Sequence, residues 1–129
     1  MKQVIDASTF LAYLQGEPGG ESAKRYVLGS TISAVNYSEV AQKAMRQGSY
    51  PIVQAIIKQA AIKIIPFDHV HAAVAAGFHE ATIGKDISLA DRACMAAGKV
   101  LGLPVVTGDK AWEGLPVDVE VILFRRGRD

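Results

Sequence analysis

The sequence contains one cysteine, Cys94. It also has no apolar run of about 18 residues, which argues against a membrane-spanning helix. A single cysteine excludes an internal disulfide and is typical of a reducing compartment. Asp6 interrupts the first apolar stretch, so the N-terminus does not have a signal-peptide pattern. We therefore expect a cytoplasmic protein in which Cys94, within "RACMAAG", is a buried and unreactive thiol.

Several signatures of common hydrolases are also missing. The sequence has neither a G-x-S-x-G nucleophile elbow nor a G-x-x-x-x-G-K-[ST] phosphate loop. His69 and His71 are two residues apart in a predicted helix and face different directions, and His79 lies two turns beyond His71. These absences argue against a serine hydrolase, a P-loop NTPase and a zinc site.

The composition and the apolar pattern predict the fold. Half of the residues are hydrophobic and 21% are charged, which is typical of a globular domain. Five short segments are predicted strands: "KQVIDAS", "STISAV", "IKIIPF", "LPVVTGD" and "VDVEVILF". Their lack of alternation indicates burial on both faces, and the helices between them predict parallel pairing. We therefore predict one α/β domain over residues 1–129, a three-layer α/β/α sandwich with a central, mostly parallel five-stranded sheet.

Capping residues predict where the helices begin and end. Asp68 and Ser88 precede helical patterns and are expected to be N-caps. Gly102 is expected to end the helix that follows Ser88. Another helix is predicted from about Asn36 to Arg46.

Four acidic residues stand where parallel α/β sheets collect functional groups. Asp6 ends the first predicted strand and Asp109 follows the fourth. Glu39 and Asp91 fall in the first turns of predicted helices. Because the carboxyl ends of parallel strands meet at one edge of the sheet, we expect the four side chains to approach one another.

Each acid also has a structural explanation. Asn36 with Glu39, and Ser88 with Asp91, have the spacing of a capping box. The two acids that follow strands could be simple N-caps or turn residues. The neighbouring Asp86 is interpreted as a turn residue.

Four converging carboxylates would favour a bound cation. Two carboxylates about 4 Å apart repel by roughly 4 kcal/mol at an effective dielectric near 20. Such a cluster either raises pKa values or binds a cation, and oxygen ligands suit Mg²⁺ or Mn²⁺. When these four are set aside, nine of the 13 acidic residues remain against 14 basic ones, which permits a polyanionic substrate.

The segments "VIDASTFLAYL", "SAVNYSEVAQKA" and "ISLADRACMAAGKVLGLPVVTGDKAW", with the final strand, resemble a PIN domain, and more narrowly a VapC-type toxin. The resemblance covers almost the whole chain, and residues 88–112 are its most specific part. It implies a metal-dependent ribonuclease built on a central parallel sheet. By this match, the catalytic acids that bind Mg²⁺ or Mn²⁺ are Asp6, Glu39, Asp91 and Asp109.

The same resemblance assigns supporting residues. Ser8 and Thr107 match small hydroxyl residues that support the carboxylates. Some relatives carry a further acid a few residues after the fourth. Trp112 and Glu113 occupy that stretch here, so the number of metal ions stays open.

The implied function is an endoribonuclease, the toxin of a type II, VapBC-like toxin–antitoxin system, in which metal-activated water hydrolyses RNA phosphodiester bonds. Arg92, beside Asp91, is a candidate phosphate contact. Further candidates are Lys24, Arg25, Lys43, Arg46, Lys110 and the "RRGR" tail. Two alternatives stay open: a Mg²⁺-dependent phosphatase with Asp6 as nucleophile, in which Ser8 would replace the usual second acid, and an inactive PIN-like module that binds RNA or protein.

The segment "PIVQAIIKQAAI" has a wide apolar arc, since only Gln54, Lys58 and Gln59 are polar. It is either buried deeply between other helices or part of a groove or dimer face. The family resemblance implies a VapB-like antitoxin partner and a homodimer.

Overall fold

Five short strands form a wholly parallel sheet in the computed structural model, which describes residues 2–125. The strands are β1 (Val4–Ile5), β2 (Thr31–Ser33), β3 (Lys63–Ile65), β4 (Val105–Thr107) and β5 (Val121–Leu123). Their order is β3-β2-β1-β4-β5, and every neighbouring pair is parallel. Each strand lies within one of the five predicted segments, so the predicted sheet is confirmed.

Seven α-helices and one 3-10 helix connect the strands of the described part of the chain. They are α1 (Ala7–Gln15), α2 (Gly20–Val27), α3 (Ala34–Gln47), α4 (Tyr50–Gln59), α5 (His69–Gly77), α6 (His79–Thr82), α7 (Leu89–Leu101) and the 3-10 helix Lys110–Trp112. The predicted caps at Asp68, Ser88 and Gly102 are confirmed. Within residues 2–125, none of the helices has both the length and the hydropathy that a bilayer crossing requires.

The sheet is buried on both faces. Helices α1 to α4 pack on one face around Ile5, Ile32 and Val106. Helices α5 and α7 pack on the other face around Val4 and Val105. Successive strand residues point to opposite faces, which is why neighbours such as Val4 and Ile5 belong to different hydrophobic clusters. The predicted three-layer α/β/α sandwich is therefore confirmed, while its extent over residues 1–129 stays a prediction.

The strand order reverses between β1 and β4. From β1 the chain proceeds through β2 to β3 on one side, and it returns to place β4 and β5 on the other. In open parallel sheets, the crevice beyond the carboxyl ends of the strands at such a reversal is the usual binding site. Asp6 directly follows β1, and Asp109 lies two residues beyond the end of β4.

Helix α7 approaches the sheet closely at Gly98. A Cβ added at Gly98 would lie 2.5 Å from Val105 Cγ1 and 2.9 Å from the Leu103 carbonyl oxygen. We expect Gly98→Ala to lower the free energy of unfolding by about 1–3 kcal/mol through overpacking. The matched control is Gly77→Ala, because nothing lies within 4 Å of a Cβ at Gly77. Alanine there should be neutral or stabilising by up to ~1 kcal/mol. Equal responses in urea denaturation would contradict this account of the packing.

Candidate active site at the carboxyl edge of the sheet

Asp6 is a buried carboxylate surrounded by hydrogen-bond donors. It is the N-cap of α1 and only 5% exposed. Its Oδ1 accepts hydrogen bonds from Ser8 Oγ at 2.8 Å, Thr9 N at 2.9 Å and Thr9 Oγ1 at 2.9 Å. Its Oδ2 accepts one from Thr107 Oγ1 at 2.6 Å. The carboxylate is therefore fixed in place by both α1 and β4.

Burial dominates the ionisation of Asp6. Desolvation raises the pKa of this carboxyl, while hydrogen bonds from Thr107, Thr9 and Ser8 lower it, and the net shift is upward. The donors thus offset only part of the penalty for removing a charge from water. A cation close to Asp6 would favour the ionised form.

The two predicted supporting hydroxyls also contact the loop after β4. Ser8 Oγ accepts a hydrogen bond from Gly108 N at 3.0 Å, and Thr107 Oγ1 accepts one from Asp109 N at 3.1 Å. Asp109 is exposed, and its Oδ1 accepts from Ala111 N at 2.9 Å as the N-cap of the 3-10 helix. The Thr107 hydroxyl therefore links the Asp6 carboxylate to the backbone N–H of Asp109.

The remaining two acids lie on α3 and α7. Ser88 and Asp91 form the predicted capping box: Asp91 Oδ2 accepts from Ser88 N at 2.9 Å, and Ser88 Oγ accepts from Asp91 N at 3.1 Å. The predicted box of Asn36 with Glu39 is wrong. Helix α3 begins at Ala34 with Ser33 as its N-cap, so Glu39 lies in the second turn.

The four acids influence one another electrostatically. Burial raises the pKa of Glu39, and the charges of Asp91 and Asp6 raise it further against a hydrogen bond from Asn36. Burial likewise raises the pKa of Asp91, with the charge of Asp109 adding to it against the hydrogen bonds from Ser88. The fold therefore brings Asp6, Glu39, Asp91 and Asp109 to one edge of the sheet.

Cys94 lies beneath this cluster. The thiol is fully buried on α7. Burial raises its pKa well above the ordinary value, and the charges of Asp6, Asp91 and Glu39 add to the shift. The prediction of a buried thiol is confirmed, and its surroundings disfavour the reactive thiolate.

The donor set fits a hard divalent cation in chemistry and charge. Among the described residues, hydrogen bonds engage one oxygen of Glu39 and one of Asp109, which leaves a second oxygen on each. Carboxylate oxygens are the ligands that Mg²⁺ and Mn²⁺ prefer. Within residues 2–125, no group of three or more His, Cys, Asp or Glu side chains lies close enough together to hold a metal ion. A cation bound by several of these acids would therefore require them to move closer together, and its charge would offset their repulsion.

Arg92 is partly buried beside Asp91. Its Nη1 donates to the Ile87 carbonyl oxygen at 3.4 Å, a long hydrogen bond that commits one of its five N–H groups. The remaining donors could contact a phosphate, so the predicted role stays a prediction. The other predicted basic residues lie on α2 (Lys24, Arg25), α3 (Lys43, Arg46) and the 3-10 helix (Lys110).

Arg125 is the one residue of the "RRGR" tail inside the described range, and it lies against the site. Its Nη1 donates to the Pro18 carbonyl oxygen at 3.1 Å and lies 3.5 Å from Glu17 Oε1. The guanidinium stacks over the Phe124 ring at 4.9 Å. A Cβ at Gly108 would lie 2.9 Å from Arg125 Nε, so glycine permits this approach to the loop that carries Asp109. Residues 126–128 of the tail lie outside the described residues.

Sequence reasoning missed two side chains at the site. Thr9 contacts Asp6 through both its backbone and its hydroxyl, and an N-cap at Asp6 with a hydroxyl three residues later was the available signal. Asn36 was interpreted as a capping residue. It is instead buried and contacts both α3 and α7. No local pattern indicates the second contact, since its partner is 54 residues away.

Comparisons with known proteins agree with this architecture. A family model described as "PIN domain" matches residues 4–117. No curated protein matches the sequence significantly. A toxin–antitoxin complex from Klebsiella pneumoniae is similar with a TM-score of 0.79 and 16% identity over 96% of this chain and 98% of that one. DNA-bound VapBC from Salmonella typhimurium is similar with a TM-score of 0.74 and 14% identity, over 97% of this chain and 99% of that one. FitAcB from Neisseria gonorrhoeae is similar with a TM-score of 0.70 and 22% identity, over 93% of this chain and 96% of that one. At these identities the similarity shows the fold alone.

Without divalent cations, the protein should lose stability as pH rises from the ordinary carboxyl pKa values of 3.8 and 4.5 toward neutrality. The reason is that Asp6, Glu39 and Asp91 have raised pKa values, so in this range the folded protein retains protons that the unfolded chain has released. Asp91→Asn should reduce this loss. Urea denaturation in EDTA across this pH range measures the effect.

The control is Asp68→Asn. Asp68 is exposed, and hydrogen bonds from the backbone of His71 and Val70 lower its pKa, with His71 the larger cause. The contribution of Asp68 to stability has the opposite pH dependence. It is present above the pKa of the unfolded chain and is lost on acidification. Removing Asp68 should therefore leave the decline toward neutral pH in place. An Asp91→Asn profile identical to that of the wild type would contradict the proposed crowding.

Proposed function

Because the chain belongs to the PIN domain family, whose model matches residues 4–117, we propose that it is a divalent-metal-dependent endoribonuclease, the toxin of a VapBC-like toxin–antitoxin pair. PIN domains are generally nucleases, which supports a hydrolase at that coarse level. The observation that carries the proposal is the placement of four carboxylates at the reversal of strand order, where Glu39 interacts electrostatically with Asp91 and Asp6, and Asp91 with Asp109.

The proposed metal ligands are Asp6, Glu39, Asp91 and Asp109. A bound Mg²⁺ or Mn²⁺ would lower the pKa of a coordinated water and neutralise charge on the phosphate. Ser8 and Thr107 hold the Asp6 carboxylate in a fixed orientation, and Thr107 also fixes the backbone of Asp109. Divalent metals are general among PIN nucleases, which supports a metal here without identifying it.

The proposed substrate is RNA in the cytoplasm. The excess of basic residues outside the acid cluster favours a polyanion. Arg92 and Arg125 lie next to the cluster and are the first candidates for phosphate contacts. The choice of RNA over DNA rests on the resemblance to VapC-type toxins.

The two alternatives receive less support. In a phosphatase that uses Asp6 as nucleophile, the second acid would stand at Ser8, whose hydroxyl instead donates to Asp6. In a binding-only module, no chemistry would require a carboxylate that is buried against a desolvation penalty. The nuclease is therefore the function that the site supports best.

Asp91→Asn should reduce RNA cleavage by roughly 100-fold or more, in line with loss of an essential metal-site interaction. The amide oxygen can still accept from Ser88 N, so α7 should remain capped. Cleavage of total RNA with Mg²⁺ or Mn²⁺, and growth after induced expression, measure the effect. Asp6→Asn should behave likewise.

The matched control is Asp118→Asn. Asp118 is exposed, and its contact with Lys99 is a loose 4.0 Å ion pair before β5, away from the carboxyl edge of the sheet. This variant should cleave RNA and arrest growth like the wild type. Full activity in both Asp6→Asn and Asp91→Asn would defeat the assignment.

Helix α4 supports the proposed antitoxin partner. Of its residues only Val53 is buried, while Ile52 is 56% exposed, so deep burial of this helix is excluded within the described chain. A shallow groove of about 170 Å³ runs beside it, lined by Tyr13, Leu28, Ile56, Gln59 and Ala60. We propose that an apolar helix of a VapB-like antitoxin occupies this groove. The toxin–antitoxin complexes among the similar structures support a partner of this kind.

Ile56→Glu should abolish co-purification of the proposed VapB-like antitoxin, because a charge in the groove would be buried without a partner. RNA cleavage should persist, since none of the four acids lines the groove. The control is Val100→Glu, which alters an exposed apolar residue of α7 in the opposite layer. Undiminished partner binding by Ile56→Glu would contradict the proposal. Sedimentation of the wild type alone tests the proposed homodimer, which a clean monomer would contradict.

A further inference from the structure

Asn36 connects the two helices that carry Glu39 and Asp91. It is the third residue of α3 and 1% exposed. Its Nδ2 donates to Glu39 Oε1 at 3.3 Å and to the Ala90 carbonyl oxygen at 3.1 Å. Ala90 directly precedes Asp91 in the first turn of α7. One amide group therefore contacts an acid of the cluster and the backbone beside another.

The orientation of this amide follows from its neighbours. Both contacts, a carboxylate oxygen and a carbonyl oxygen, can only accept, so the amide nitrogen must face them. Asn36 Oδ1 then points elsewhere, and among the described residues it is buried and accepts no hydrogen bond. A buried acceptor without a donor lowers stability. An apolar side chain of similar size would avoid that penalty but would also lose the two hydrogen bonds that Nδ2 donates, so the two effects on stability oppose each other.

We propose that Asn36 is a positioning residue that holds the Glu39 carboxylate beside the first turn of α7, so that Glu39 and Asp91 are presented together to a divalent cation. The inference deepens the proposed metal-dependent function and rests on it. Like charges push these two acids apart when no cation is present. The paired hydrogen bonds of Asn36 oppose that separation. They engage one oxygen of Glu39, which leaves the other for the metal.

The magnitude follows from groups that orient metal ligands in other proteins. Loss of such a group typically weakens metal binding by about 10- to 100-fold. A purely structural residue would instead change stability and affinity in the same direction. For Asn36 the effects on stability and on metal affinity should differ, because its unpaired oxygen lowers stability while its nitrogen supports the metal site.

The test is Asn36→Leu in the full chain, with Mn²⁺ binding measured by calorimetric titration and stability measured by thermal unfolding in EDTA. We expect Mn²⁺ to bind about 10-fold or more weakly. The melting temperature in EDTA should change little, because loss of the two hydrogen bonds is offset by removal of the unpaired oxygen. Asn36→Ala is the second variant, in case leucine does not fit, and it should show the same loss of affinity.

A double-mutant cycle with Glu39→Gln supplies the control. If Asn36 acts through Glu39, Asn36→Leu should change Mn²⁺ affinity by less than about two-fold in the Glu39→Gln background. An equal loss in both backgrounds, or wild-type affinity in both Asn36 variants, would overturn the inference. RNA cleavage by the wild type is measured separately. If the wild type cleaves RNA and the Asn36 variants bind Mn²⁺ as tightly as the wild type, only the role of Asn36 is rejected. A wild type that binds no Mn²⁺ rejects the metal-dependent function as well.

Discussion

The structure depends on one constraint: a carboxylate, Asp6, is buried where two central parallel strands end. Removing this charge from water is unfavourable, and the upward shift of its pKa shows that burial outweighs its hydrogen bonds. The same hydrogen bonds organise the fold around it. Asp6 caps α1 by accepting from Thr9 N, and Thr107 links Asp6 to β4. The start of α1, the pairing of β1 with β4 and the floor of the site are therefore maintained by one set of contacts.

The hydrophobic clusters stabilise this unfavourable centre. Two apolar layers enclose the sheet, and Gly98 lets α7 lie close to β4, which brings the first turn of α7 and its Asp91 over the strand ends. Burial and the charges of neighbouring acids raise the pKa values of Glu39 and Asp91, so this arrangement lowers stability at neutral pH unless a cation offsets it. Active sites commonly carry such a penalty, because the groups that bind a ligand are unsatisfied without it.

The sequence predicts most of the fold because the signals are local. Strand segments, the caps at Ser88 and Gly102, and the helices between strands depend on residues within a few positions of each other. The start of α3 was misplaced because Ser33 belongs to a strand-forming run, yet its side chain caps the helix. The contacts of Asn36 with Ala90 and of Arg125 with Gly108 join distant segments. No periodicity encodes such contacts, so they could not be predicted from the sequence, whereas Ser8 and Thr107 were expected beside Asp6 from the family resemblance.

Helix α1 connects the candidate site with the proposed partner groove. Hydrophobicity in α4 could not distinguish burial from binding, because both require the same apolar residues. The fold leaves that face open, and Tyr13 of α1 lines the groove beside it. Tyr13 is seven residues from Asp6, and a helix rises 1.5 Å per residue, so the two positions lie about 10 Å apart along the axis. The proposed partner groove therefore lies about two helical turns from Asp6 along α1.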